Sequence, residues 1–124
     1  MKKIMNGLLA LVALLSAGAQ AGSLTCAGRV TQVNMHANDT FMLKLDSMDY
    51  PVYFCRANGT FSVSGAQFTT SAETCRTLIG LFLTAKVTEK RLSVIYFDGD
   101  DVPTACNAFG PWKNVHIRYF EWAD

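Results

Sequence analysis

The stretch that decides the fold is TSAETCRTLIGLFLTAKVTE, residues 70–89. It opens with the pattern of a capping box, in which the Thr70 hydroxyl accepts a hydrogen bond from a backbone amide and Glu73 reaches back. Apolar residues then recur at three- and four-residue spacing, as they do on the buried face of an amphipathic helix. They are Cys75, Leu78, Ile79, Phe82 and Leu83. We predict a helix of about four turns that ends near residues 87–89.

Three strands are predicted before this helix. Residues 24–35 are rich in Thr and Val, and Gly28 within them indicates a bulge or bend. Residues 40–45 alternate cleanly between apolar and other positions, which is typical of a half-buried strand. Residues 50–56 form the third strand of this meander, and residues 60–63 extend it as a short edge strand.

Two further strands are predicted after the helix, at residues 91–97 and 114–122. The last one alternates, with His116, Arg118 and Phe120 on one face and the intervening residues on the other. The resulting order β-β-β-α-β-β is that of an OB-fold, a five-stranded and partly open barrel. Other folds that pack antiparallel strands on one side of a helix also fit.

The first 21 residues have the organisation of a secretory signal peptide. Lys2 and Lys3 precede an apolar run, residues 4–15, and Ala19 and Ala21 form a small-x-small cleavage site. The run is too short to span a bilayer, which needs about 20 apolar residues. We expect cleavage after Ala21, which leaves residues 22–124 as a single OB-like domain, secreted or periplasmic in a bacterium.

Charge limits the classes of partner. The whole chain has a formal net charge of +1, and loss of the two leader lysines leaves the mature domain close to neutral. Such a domain lacks the basic footprint of a nucleic-acid binder. No other hydrophobic stretch reaches membrane length. The expected partners are therefore a glycan or a protein.

The four cysteines, Cys26, Cys55, Cys75 and Cys106, all lie in the mature region. An even number in a small exported chain predicts two disulfides, and the absence of a C-x-x-C spacing argues against a zinc site. In a barrel the first strand approaches the loop before the last strand, which favours Cys26–Cys106 with Cys55–Cys75. The alternative, Cys26–Cys75 with Cys55–Cys106, requires the first strand to lie beside the start of the helix.

Four segments of the chain carry a resemblance: CAGRVTQV (26–33), VYFC (52–55), SAETCRTLIGLFLTAKVTEKRLSVIYF (71–97) and CNAFGPWKNVHI (106–117). Together they resemble an uncharacterised group of small exported, disulfide-bearing bacterial proteins. The architecture also resembles the cell-binding B subunits of AB5 toxins, which are OB-folds that assemble as pentamers and bind host glycans. That resemblance implies a non-enzymatic, glycan-binding module. The alternative is a small inhibitor or structural protein that acts through a protein interface.

No catalytic residue, metal ligand or cofactor is predicted. The chain has no G-x-S-x-G motif, and His36 and His116 have no serine or cysteine partner nearby in the sequence. The acidic segment DGDD, residues 98–101, lacks the alternation and the distal glutamate of a calcium loop. A hairpin turn explains it better.

Aromatic residues supply the candidate ligand contacts, which are Trp112, Trp122 and Tyr119. Trp112 ends the segment TACNAFGPW, residues 104–112, just after a cysteine. It either stacks on a ligand or plugs the end of the barrel. The plug is favoured, because a small core needs large apolar side chains.

One helix residue bears on assembly. Gly80 stands in mid-helix, where glycine costs about 1 kcal/mol relative to alanine. Close packing against a neighbour would explain it, and that neighbour lies either in the same chain or in another copy. We therefore keep a homo-oligomer as a prediction.

Overall fold

The computed structural model describes residues 22–123, which form a mainly β structure with one long helix. The predicted signal peptide lies outside the described residues. The strands are β1 (Gly22–His36), β2 (Thr40–Leu45), β3 (Val52–Arg56), β4 (Arg91–Gly99), β5 (Lys113–Asn114) and β6 (His116–Trp122), and the helix is α1 (Ala72–Val87). Single 3₁₀ turns lie at Ala37–Asp39 and Cys106–Ala108.

The six strands form one curled, half-barrel sheet in the order β5-β3-β2-β1-β4-β6. The β3–β5 pair is parallel and the other pairs are antiparallel. Long β1 lies at the centre, where it pairs with β4 through its first half and with β2 through its second. Only Val115 separates β5 from β6. β5 is the first strand in the sheet order and β6 is the last, so two consecutive pieces of chain form the two edges of the curled sheet.

The predicted last strand, residues 114–122, is divided in the structure, so there are six strands rather than five. The predicted alternation of its faces is also wrong. Val115, His116 and Ile117 are all buried, whereas Arg118 and Tyr119 are both exposed. Phe97 pairs with Ile117 and Tyr96 with Tyr119, which leaves Arg118 as the extra residue of a bulge. A bulge shifts the register, so the side chains beyond it change faces.

The β1–β4 pairing is irregular beside Gly28, where a bulge or bend was predicted, and the extra residue lies in β4 rather than in β1. The register shifts there, since Cys26 pairs with Ile95 and Gly28 with Leu92. Gly28 has a φ of 149°, and a side chain at this position would collide with the Asp46 carboxylate. That carboxylate accepts a hydrogen bond from the Arg29 backbone amide at 3.1 Å. Glycine is required here because its φ is positive and the Asp46 carboxylate lies against the backbone.

Helix α1 begins one residue later than the capping box predicts. Ser71 is the N-cap, and its hydroxyl accepts a hydrogen bond from the Thr74 amide at 3.1 Å. Thr70 is buried and forms an isolated antiparallel bridge with Phe61. The predicted edge strand at residues 60–63 is therefore reduced to this single bridge. The predicted helix end near residues 87–89 is confirmed.

The core lies between the inner face of the sheet and α1. Phe82 is fully buried, and its ring lies 5.4 Å from Phe54 of β3 and 5.0 Å from Phe120 of β6, centroid to centroid. Leu83, predicted on the same buried face, is 43% exposed, and Ala85 is buried instead. Phe82 of the helix therefore contacts β3 and β6, on the two sides of the curled sheet.

Two disulfides hold this arrangement, and they are Cys26–Cys106 and Cys55–Cys75. The pairing favoured by the sequence is confirmed, and the alternative of Cys26–Cys75 with Cys55–Cys106 is wrong. Cys55–Cys75 joins the end of β3 to the first turn of α1. Cys26–Cys106 joins β1 to the segment that precedes β5. Within residues 22–123 no helix is long and apolar enough to cross a membrane.

Within residues 22–123, and apart from the backbone of the helix itself and its two chain neighbours, no atom lies within 4 Å of the position that a Cβ on Gly80 would take. The explanation by close packing inside the same chain is therefore wrong. The explanation by another copy stays a prediction.

Candidate binding site

An apolar groove of about 410 Å³ lies between the end of β1, Met42 of β2 and the segments that precede β3 and β5. Met42 of β2 and Tyr53 of β3 pair across these two strands. Its lining residues are Asn34, Met35, His36, Met42, Tyr50, Pro51, Pro111 and Trp112. Among these described residues none is Asp, Glu, Lys or Arg, so the groove favours an uncharged group.

Trp112 is the most prominent side chain of the groove. It is 62% exposed, and its ring stacks on Tyr53 with 6.1 Å between centroids and 25° between planes. The His36 ring meets it edge-on at 5.4 Å. The interpretation of Trp112 as a core plug is therefore wrong, and its indole is available to a ligand.

Phe109 fills the core position that Trp112 was predicted to fill. It is 2% exposed and packs edge-to-face against Phe97 at 5.6 Å. Gly110 then takes a φ of 70° and Trp112 a φ of 62°, and these positive φ values turn the chain away from the core. For a bulky residue such as tryptophan, this conformation is sparsely populated. Strain of this kind persists where surrounding structure imposes it, and it is concentrated at ligand-binding positions.

Asp49 holds the backbone of Phe109 and Gly110, just before Trp112. Its Oδ1 accepts a hydrogen bond from the Phe109 amide at 3.0 Å, and its Oδ2 accepts one from the Gly110 amide at 3.2 Å. Desolvation pushes the pKa of Asp49 upward, but hydrogen bonds from the backbone amides of Gly110, Phe109 and Tyr50 outweigh it. The pKa of Asp49 is therefore lower than its ordinary value.

Acid is expected to release the Trp112 segment. Because the pKa of Asp49 is lowered by folding, its stabilising contribution is complete above pH of about 4 and is lost as the pH falls through the folded-state value. We expect Trp112 fluorescence, measured in a Trp122→Phe background, to change in this acidic range. In Asp49→Asn it should already resemble the acid form at pH 7. Glu121→Gln serves as the control, and an unchanged titration in Asp49→Asn would contradict this role.

The other two predicted contacts lie away from the groove. Trp122 is partly buried against the core, and the Lys90 ammonium lies 5.2 Å from the centre of its ring. Tyr119 is 47% exposed and stacks on Tyr96 at 5.8 Å. The structure does not bring Trp112, Trp122 and Tyr119 into one site. Instead it brings His36 and Tyr53 to Trp112, and no local pattern marks this meeting of three segments.

His116 is buried and lies in a cluster with Asp98 and Arg118. Its Nδ1 is 2.7 Å from the Asp98 Oδ1, and the Arg118 Nε is 3.3 Å from the other oxygen of this carboxylate. Buried charged groups need such partners, and these three residues connect β6 to β4. Within the described part of the chain, no three His, Cys, Asp or Glu side chains are placed to hold a metal ion.

Comparisons with known proteins find no match for this chain among protein-family models, curated proteins or solved structures. The resemblance to exported bacterial proteins and to toxin B subunits therefore stays a prediction.

Proposed function

We propose that the protein is a non-enzymatic, saccharide-binding module that holds a sugar ring in the Trp112 groove. The observation that carries this proposal is the exposed Trp112 indole, which is stacked on Tyr53 and fixed by Asp49. An indole held in this way offers an apolar face to the C–H side of a sugar ring and loses little conformational freedom on binding. Asn34 and His36 supply polar atoms at the groove for the sugar hydroxyls.

The position of the groove also supports ligand binding. We propose that the curled sheet is an OB-type barrel, because β1, β2 and β3 form a meander, α1 follows β3, and β5 pairs in parallel with β3. OB-folds bind oligosaccharides and oligonucleotides on the face of strands 2 and 3, between the loop that joins strands 1 and 2 and the loop before the last strand. His36, Tyr53 and Trp112 lie at those three places. The near-neutral charge of the domain favours the saccharide over the nucleic acid.

The compartment is consistent with this function. Two disulfides join all four cysteines, and such bonds persist in oxidising surroundings such as the periplasm or the extracellular space. We propose that the protein meets its ligand there.

A protein ligand is the second candidate. Met35 lines the groove and is 70% exposed, and methionine is a side chain that adapts to irregular apolar partners. An inhibitor or structural protein would use the groove to hold an apolar side chain of its partner.

The test is binding of residues 22–124 to an array of immobilised oligosaccharides. We expect Trp112→Ala to lose at least about 30-fold in affinity, because removal of a central aromatic contact costs about 2 kcal/mol or more. Its thermal stability should change little, since the ring is exposed. Phe68→Ala is the matched control, because Phe68 is 53% exposed and lies outside the groove.

Equal sugar affinity of Trp112→Ala and the parent protein would refute the groove as the site. Absence of binding to any sugar, together with Trp112-dependent capture of a periplasmic or host protein, would support the second candidate instead.

A further inference from the structure

A second depression adjoins the Trp112 groove. It measures about 240 Å³, and it shares His36 with the groove and Tyr53 with the aromatic stack. The His36 ring lies 5.7 Å from Tyr53 and 5.4 Å from Trp112, so these side chains form a ridge between the two depressions. The other lining residues are Ala37, Asn38, Thr40, Arg56, Phe61 and Asn114. The two depressions are halves of one cleft.

The two halves differ in chemistry. The half at Trp112 is apolar and uncharged, whereas the second half presents amide and hydroxyl side chains and the Arg56 guanidinium. Within residues 22–123, no carboxylate lies within ion-pair distance of Arg56. The nearby Arg76 differs, because its guanidinium donates to the Ala57 carbonyl at 2.8 Å. Arg56 is therefore an exposed cation that the fold does not neutralise.

The turn beside Arg56 is held in place before any ligand binds. Asn38 and Asp39 both have positive φ values, 64° and 56°. The Asp39 carbonyl accepts a hydrogen bond from the Ala57 amide at 2.9 Å, and its carboxylate accepts one from the Asn58 side chain at 2.7 Å. These bonds connect the turn to the end of β3. The Asp39 carboxylate is thereby engaged by Asn58 rather than by Arg56.

We propose that the ligand of this cleft is an acidic oligosaccharide. A neutral sugar unit stacks on Trp112, and the neighbouring unit, beyond His36, places a carboxylate or a sulfate on Arg56. The planar guanidinium matches either group, because its paired N–H donors bind two oxygens at once. This inference rests on the proposed function and specifies the chemistry of the ligand.

The experiment uses matched pairs of oligosaccharides in calorimetric titrations. One set contains uronic-acid oligosaccharides and their carboxyl-reduced forms, and the other contains sulfated oligosaccharides and their desulfated forms. We expect the acidic member of a pair to bind about tenfold or more tightly, as a hydrogen bond to a charged group contributes about 1.5–3 kcal/mol. The set that shows this preference identifies the acidic group.

Arg56→Gln should remove the preference for the acidic member and leave the affinity for the neutral member unchanged. Arg91→Gln is the control, because it makes the same change of net charge on an exposed residue at the start of β4, outside both halves of the cleft. Circular dichroism confirms that both variants fold.

Two results would overturn the inference: no acidic preference in any pair, or a preference that persists in Arg56→Gln. If only neutral members bind, and their binding depends on Trp112, then the inference fails and the proposed function stands. If no member of any pair binds, both fail.

Discussion

Replacing Cys26 and Cys106 together with alanine should lower the free energy of unfolding by about 4.5 kcal/mol, whereas the same change at Cys55 and Cys75 should cost about 3.3 kcal/mol. The difference follows from the separations along the chain, which are 80 residues for the first disulfide and 20 for the second. A bridge that closes a longer loop removes more conformational freedom from the unfolded chain. Denaturation in urea of the parent and both double variants measures the two losses.

The larger loss is a substantial part of the total stability of a small domain, which is about 5–15 kcal/mol. The Cys26–Cys106 variant should also bind sugar more weakly, because Cys106 anchors the segment that carries Trp112. The double variant of Cys55 and Cys75 is the matched control, since the disulfide that it removes connects β3 to α1 and does not involve this segment. A smaller loss for Cys26–Cys106 than for Cys55–Cys75 would show that the unfolded-chain argument does not apply here.

Phe82→Ala should lower the free energy of unfolding by about 3–5 kcal/mol, the usual range for a fully buried phenylalanine. Phe82 is completely buried between Phe54 and Phe120. Its removal leaves a cavity at the place where α1 contacts both sides of the curled sheet. Chemical denaturation gives the loss, and near-ultraviolet circular dichroism reports the loosened aromatic packing.

Leu83→Ala is the matched control for Phe82→Ala. Leu83 is the next residue of the same helix and is 43% exposed. Its replacement should change the free energy of unfolding by less than about 1 kcal/mol. The prediction would be contradicted by similar losses in the two variants. Such a result would mean that α1 does not depend on its contact with the core.

The sequence predicted most secondary structure because those signals are local. The spacing of apolar residues in α1 and the alternation in β2 are visible in short windows of the chain. The N-cap was missed by one residue, since Thr70 and Ser71 offer the same hydroxyl and only the bridge of Thr70 to Phe61 distinguishes them. The faces of β6 were missed because nothing in its alternation marks the bulge at Arg118.

The candidate site could be predicted only in part. The residue type of Trp112 and its position after Cys106 indicate a candidate contact. They do not indicate that its side chain faces outward rather than into the core. That direction depends on Asp49, whose hydrogen bonds to Phe109 and Gly110 span 60 and 61 residues. His36 and Arg56 were not identified as site residues, because each is unremarkable in its own segment.

By itself, the sequence determined the type and order of the main elements, the expectation of an oxidising compartment and the favoured disulfide pairing. The elements follow from local periodicity, the compartment from the number of cysteines and the leader, and the pairing from where the expected barrel places the four cysteines. The tertiary structure alone decided that Phe109 enters the core while Trp112 faces outward, and that His36, Tyr53 and Trp112 meet. The physical reason is that a cleft forms from contacts between distant segments, and such contacts depend on register, bulges and long-range hydrogen bonds that no short window of sequence contains.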